Sequence, residues 1–226
     1  MDELLKGFVF DLDGIITDTA KYHYAAWKRV AQDELGITIN PAVNEHLKGV
    51  SRMDSLNVIL KFGHKENAYT DTEKAEFASE KNDLYKSLIQ QMTPDDILPG
   101  IADFLKAITA KGYPMALASA SRNAPFIIDR LQLAEYFSAI VDPATLTKGK
   151  PDPEIFERAA DLIHLPYAET VGIEDAVAGI EGIQAAGMFA VGVGSPDVLG
   201  KADLLFPDTA HLNLAQIETA FNAARK

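Results

Sequence analysis

Six short apolar runs separated by segments of helical character constrain this chain more than any other feature. They are Phe8–Phe10, Met115–Ala118, Ala139–Val141, Thr170–Ile173, Phe189–Val193 and a weaker Leu204–Phe206. Strands that alternate with helices build βα units, and βα units build a parallel sheet. The intervening segments also end as helices do. Ile101 to Lys111 stops at Gly112, and Asp175 to Ala186 stops at Gly187, where glycine accepts the left-handed backbone of a cap.

The alternation fails between about Thr17 and Met92, where four helical segments follow one another with no strand. One runs from about Thr19 to Leu35 and ends at Gly36. The next opens at Asn40-Pro41, an N-cap residue and a first-turn proline. Ser51 opens a third that ends near Gly63, and Thr70 with Glu73 forms a capping box for a fourth reaching about Gln91. The expected fold class is α/β: a doubly wound, Rossmann-like parallel-sheet core made of residues 1–16 and 94–226, with a helical bundle inserted over 17–93.

Composition narrows the partners. The 226 residues, 47% of them apolar, can bury a sizeable core. With 21 Lys and Arg against 33 Asp and Glu, the net charge is −12, which repels nucleic acid and anionic membrane surfaces. The absence of cysteine excludes disulfides, thiolate zinc sites and a thiol nucleophile. There is no run of 18 apolar residues, and the N-terminus carries acids where a signal peptide carries bases. A cytoplasmic protein with no membrane or nucleic-acid partner is expected.

Ligands of open parallel sheets bind beyond the carboxyl ends of the strands. The first run is followed by Asp11-Leu12-Asp13-Gly14 and the second by Ser119-Ala120-Ser121-Arg122-Asn123. The third leads to Lys148-Gly149-Lys150-Pro151, and the fourth to Glu174-Asp175. Asp11 and Asp13, two apart in an extended segment, point to the same side. Glu174 and Asp175 are hard oxygen ligands suited to Mg²⁺, and a lysine and a serine hydroxyl beside such a metal suit a phosphoryl group. Rival motifs fail. Gly194 to Gly200-Lys201-Ala202 is one residue too long for a P-loop and lacks its Ser or Thr, and Gly192-Val193-Gly194 lacks the third glycine of a dinucleotide fingerprint.

The pattern Asp11-x-Asp13-Gly14-x-x-x-Asp18, a strand-end Ser119, Lys150-Pro151 and Glu174-Asp175 resembles the haloacid dehalogenase superfamily of phosphotransferases. Along nearly its full length the chain also resembles the β-phosphoglucomutase family within it. That likeness is carried by Thr17-Asp18-Thr19-Ala20 with His23 and Trp27, by Leu47-Lys48-Gly49-Val50-Ser51-Arg52, by Lys81-Asn82 and by Ser119 to Asn123. The resemblance implies that Asp11 is the nucleophile, Asp13 the general acid and base, and Ser119 and Lys150 the groups holding the phosphoryl group in transfer. It implies Mg²⁺ held by Asp11, the Asp13 backbone carbonyl, Glu174 and Asp175, with β-glucose 1,6-bisphosphate as activator and intermediate. Arg52, Ser121, Arg122 and Asn123, with Ala120 among them, would hold the second phosphate of the sugar. Gly49, Val50, His23 and Lys81 would line the helical side of the cleft, with Thr19 at a hinge. Trp27, one turn from His23 on an apolar stripe, fits packing better than contact. Arg122 stands where the family pattern has lysine, and Lys148 is an extra cation near Lys150. The expected partner is a small sugar phosphate, handled by a monomer.

Overall fold

The computed structural model describes residues 4–47 and 52–225, without the side chain of Glu45. In chain order the elements are β1 (Gly7–Phe10), α1 (Ala20–Asp33), α2 (Pro41–Glu45), α3 (Arg52–Phe62), α4 (Asp71–Ile89), α5 (Ile101–Ala110), β2 (Met115–Leu117), α6 (Ala124–Arg130), β3 (Ala139–Ile140), α7 (Glu154–Leu162), β4 (Thr170–Glu174), α8 (Val177–Ala185), β5 (Phe189–Val193), α9 (Pro196–Leu199), β6 (Leu204–Phe206) and α10 (Leu214–Ala224). They fall into two compact units, Met1–Asp18 with Thr93–Lys226, and Thr19–Met92. Among the described residues no helix is long and apolar enough to cross a membrane.

The first unit is built on one parallel sheet in the order β3-β2-β1-β4-β5-β6. Its strands are covered on both faces, as a parallel sheet requires. The pleat of β1 shows how. Phe8 and Phe10 point to one face and meet Phe104 of α5 edge-on at 6.4 and 6.2 Å, with Tyr113 at 5.6 Å from Phe8 and Phe137 at 5.9 Å from Phe10. Val9, between them, points to the other face and packs in a cluster with Ala116, Ile155, Phe156, Ile180 and Ile183 from β2, α7 and α8. Each of these large side chains contributes about 1.5–3 kcal/mol on burial.

The chain leaves and re-enters this unit through a short clasp. The Thr17 hydroxyl donates to the Asp96 carbonyl at 2.7 Å, Leu98 N–H donates to Ile16 O at 2.9 Å, and Thr17 forms an antiparallel bridge with Ile97.

The second unit is helical. Asn40 caps α2 by accepting from Val43 N–H at 3.0 Å, with Pro41 in the first turn. Thr70 and Glu73 close a reciprocal capping box at the start of α4. The expected start of α3 at Ser51 lies outside the described residues. This unit has its own core of Trp27, Ala31, Leu35, Ile37, Leu56, Ile59 and Leu60, so it does not depend on the sheet for its apolar burial.

Candidate active site

The sheet order reverses direction at β1, which lies between β2 and β4. A crevice opens at such a switch point beyond the strand ends. Register puts Phe10 opposite both Leu117 and Ile173, so Asp11 and Glu174 leave their strands at one level and Ser119 follows just beyond.

The described carboxylates of Asp11, Glu174 and Asp175 offer oxygens all within 4.8 Å of one another. The Lys150 ammonium stands among them, donating to Asp11 Oδ1 at 2.5 Å and Glu174 Oε1 at 2.6 Å. It also lies 4.9 Å over the Phe156 ring. The other Glu174 oxygen, Oε2, accepts from Asp175 N–H and Ala176 N–H, each at 2.8 Å. Those two amides serve the carboxylate, so α8 begins at Val177 and not at Asp175 as the sequence suggests.

Three carboxylates against one ammonium leave an excess of negative charge. Burial, followed by repulsion from Glu174 and Asp13, pushes the Asp11 carboxyl up to about 7 despite Lys150. Asp175 has an exposed outer edge, but its carboxyl turns inward against Glu174 and Asp11, and desolvation with their repulsion pushes it up to about 8. Burial also opposes the Lys150 charge, yet Asp11 and Glu174 outweigh it and hold the ammonium above the usual lysine range. A divalent cation with hard oxygen preferences fits this donor set and would relieve the excess charge.

The carboxyl shifts carry a sign. Asp11 and Asp175 bind protons more tightly folded than unfolded, so the stability they supply is full below about pH 4 and is lost as pH climbs through 8. Mg²⁺ must displace those protons, so its affinity is expected to tighten roughly tenfold to hundredfold from pH 6 to pH 8. Titration calorimetry in buffers of different ionisation enthalpy checks this; a pH-independent affinity with no proton release would contradict it.

Two glycines fix the carboxylates in place. Gly14 takes a left-handed φ of +82°, and a Cβ there would overlap the Asp175 carboxyl. Gly179, on the first turn of α8, has no such backbone demand, but its Cβ would overlap the Glu174 carboxyl group. Sequence reasoning passes over Gly179, because a glycine inside a helix reads only as a weak helix former. In a helix interior Gly→Ala stabilises by about 1 kcal/mol. Gly179→Ala is expected to do the opposite, with overpacking costing about 1–3 kcal/mol. Turnover should fall roughly 10²-fold through the displaced Glu174. Calorimetric Mg²⁺ affinity and steady-state rates check both.

Ser119 is buried, and its hydroxyl accepts from Ser121 N–H at 3.1 Å, while Ser121 Oγ accepts from Asn123 N–H at 3.3 Å. Two consecutive side-chain turns thus shape the backbone before α6. Ser121 and Asn123 are half-buried, and Ala120 and Arg122 are exposed. Asp13 is half-buried and paired by a bridge to Thr17. Lys148 turns away to Asp152 at 3.0 Å, leaving Lys150 as the lysine of this loop beside Asp11.

In the helical unit, Lys81 is buried and not a solvated lysine of a charged helix. Its ammonium lies 2.6 Å from His23 Nδ1, with the Trp27 and Tyr85 rings 5.3 and 5.0 Å away. Burial, with Arg52 adding to it, pushes Lys81 down to about 7; burial and both cations push His23 down to about 3. His23 therefore stays neutral at neutral pH. Trp27, only 3% exposed, belongs to the unit's core, in line with the packing role expected from its place on the apolar stripe. Arg52 is exposed and donates to Asn82 Oδ1 at 2.8 Å. Thr19 is buried before α1, its carbonyl accepting from Tyr22 and His23 N–H. Gly49 and Val50 lie outside the described residues.

Comparison with known proteins completes the picture. Residues 5–187 match the model of haloacid dehalogenase-like hydrolases. The chain is 49% identical to the β-phosphoglucomutase of Bacillus subtilis, over 93% of this chain and 92% of that protein. The crystal structure of a β-phosphoglucomutase from Clostridium difficile superposes with a TM-score of 0.88 at 42% identity, covering 98% of this chain and 99% of that one. A phosphorylated-carbohydrate phosphatase of Thermotoga maritima is 25% identical over 81% of this chain and 82% of its own length.

Proposed function

We propose a phosphomutase activity from the premise that this chain belongs to the haloacid dehalogenase-like hydrolase family. It is a phosphotransferase of the β-phosphoglucomutase type, and enzymes of this family use Mg²⁺. The proposed reaction interconverts β-D-glucose 1-phosphate and glucose 6-phosphate. The observation that carries this reading is the 49% identity to a β-phosphoglucomutase over 93% of the chain. The lysine-paired Asp11 supports it chemically.

In the proposed mechanism Asp11 attacks the phosphoryl group, forming an aspartyl phosphate as the bond to the departing sugar oxygen breaks. Asp13 gives a proton to that oxygen and takes one from the hydroxyl that attacks in the return step. Lys150 and Ser119 hold the phosphoryl oxygens, where a fixed ammonium and hydroxyl stabilise the charge of the transition state. Mg²⁺, held by Asp11, Glu174, Asp175 and the Asp13 carbonyl, would offset the mutual repulsion of carboxylates and phosphate. Phosphorylated Asp11 passes its phosphoryl group to the 6-hydroxyl of β-glucose 1-phosphate. The β-glucose 1,6-bisphosphate so made must reverse its orientation before Asp11 takes back a phosphoryl group from the 1-position and glucose 6-phosphate leaves. This reversal therefore requires a second set of phosphate-binding groups, for which we assign Arg52, Ser121, Arg122 and Asn123. Arg122 offers a planar fork where lysine offers a point charge, which suits bidentate binding of a phosphate. His23 and Lys81, with Gly49 and Val50, are assigned to sugar recognition, and Thr19 to a hinge. We take the enzyme to act as a cytoplasmic monomer on a small sugar phosphate, independent of nucleic acid and membranes.

Hydrolysis is the second reading, favoured by the likeness to the Thermotoga phosphatase. Incubation with β-glucose 1-phosphate and a trace of β-glucose 1,6-bisphosphate separates the two. Glucose 6-phosphate is expected to exceed free phosphate at least roughly tenfold, a difference of about 1.4 kcal/mol between the two acceptors. Free phosphate in excess would establish a phosphatase.

A further inference from the structure

The loop that carries Lys150 is fastened from outside the site. The Glu154 carboxylate, at the first position of α7, accepts from Thr147 N–H at 3.0 Å to each oxygen, from Lys148 N–H at 2.8 Å and from the Thr147 hydroxyl at 2.8 Å. Asp152 Oδ1 accepts from Glu154 N–H at 3.1 Å, and Asp152 N–H donates to Gly149 O at 3.0 Å, so the turn closes on both sides of Lys150. Two residues on, Phe156 is fully buried and lies beneath the Lys150 ammonium. The first turn of α7 thus grips the loop backbone with one side chain and underlies its functional head with another.

We infer that Glu154 is a positioning residue for phosphoryl transfer, acting through the loop to set the Lys150 ammonium between Asp11 and Glu174. The inference rests on the assignment of Lys150 to the transferring phosphoryl group. Lys150 has a long, flexible stem, so its reach depends on how firmly the backbone beneath it is held. A lysine aimed at two carboxylates at 2.5 and 2.6 Å needs its backbone held. Charge-assisted hydrogen bonds to one carboxylate provide that hold. Glutamine in its place keeps the length but gives one acceptor oxygen and an amide whose N–H groups would face donors.

The test is a double-mutant cycle in the full-length, Mg²⁺-loaded enzyme, read as the single-turnover rate of Asp11 phosphorylation by β-glucose 1,6-bisphosphate. Glu154→Gln alone is expected to slow phosphorylation about tenfold, with the half-saturating substrate concentration changed less than about threefold. In a Lys150→Met background the same change is expected to cost less than about twofold, because the group it positions is gone. A merely structural role would instead give the same loss in both backgrounds, and that result overturns the proposal. Glu154→Gln at the parental rate beside an impaired Lys150→Met overturns it while leaving the site assignment standing. Lys150→Met at the parental rate overturns the site assignment and this proposal with it. Should Glu154→Gln fail to fold, Thr147→Val, which removes one donor to the carboxylate, is expected to lose about threefold, and a parental rate there overturns the proposal.

Discussion

Asp11→Asn is expected to abolish phosphoryl transfer, lowering turnover by roughly 10⁴-fold or more, as loss of a covalent nucleophile does elsewhere. The amide is nearly the same size and can still accept from Lys150, so the fold has no reason to change. What it lacks is an oxygen able to form the acyl phosphate. The substitution also removes one of the three clustered carboxylates. With less repulsion, Asp175 should titrate below its value of about 8, and the metal-free protein should lose less stability between pH 6 and pH 8 than the parent. Trapping with β-glucose 1,6-bisphosphate followed by intact-mass measurement checks the first point. Recovery of the Asp11→Asn variant in phosphorylated form would show that another residue is the acceptor.

Lys150→Met is expected to cost roughly 10³-fold in turnover, at the upper end of what one lost charge-stabilising donor costs. Methionine fills the space of the lysine stem and keeps contact with the Phe156 ring, so the change isolates the charge. The ammonium donates to both Asp11 and Glu174 from a half-buried position. Removing one partner of such a pair costs up to about 3–5 kcal/mol where the remaining charges cannot be neutralised. Here Asp11, pushed up to about 7, can take up a proton, so the deficit should be smaller at pH 6 and grow by pH 8 as it ionises. Mg²⁺ should restore most of the stability and little of the activity. Urea unfolding at the two pH values, with and without Mg²⁺, measures this; a pH-independent deficit would argue against coupling between Lys150 and the carboxylates.

The strands of the core were legible because each is a short apolar run, and β1 and β4 also lead into residues of conspicuous chemistry, at Phe10-Asp11 and Ile173-Glu174. The helix caps of the second unit were legible for the same local reason, since Asn40-Pro41 and Thr70 with Glu73 act within one turn. What sequence alone conceals are contacts made across the fold. Lys81 sits among charged neighbours in α4 and reads as solvated, yet the ring faces of α1 and α4 enclose it. Gly179 and Glu154 have ordinary local signatures, and their importance comes from what stands opposite them in space.

The clasp at Thr17 also bears on how such a fold can change over time. Because Thr17 and Ile97 are bridged, the inserted segment begins and ends at neighbouring points, and the core closes without it. The entropy of closing a loop grows only with the logarithm of its length, so a longer, shorter or differently folded insertion costs the core little. Asp11 and Asp13 lie on the core side of that junction, as do Lys150 and Glu174. Evolution can therefore exchange the inserted unit while inheriting intact the one that holds Asp11, Lys150 and Glu174.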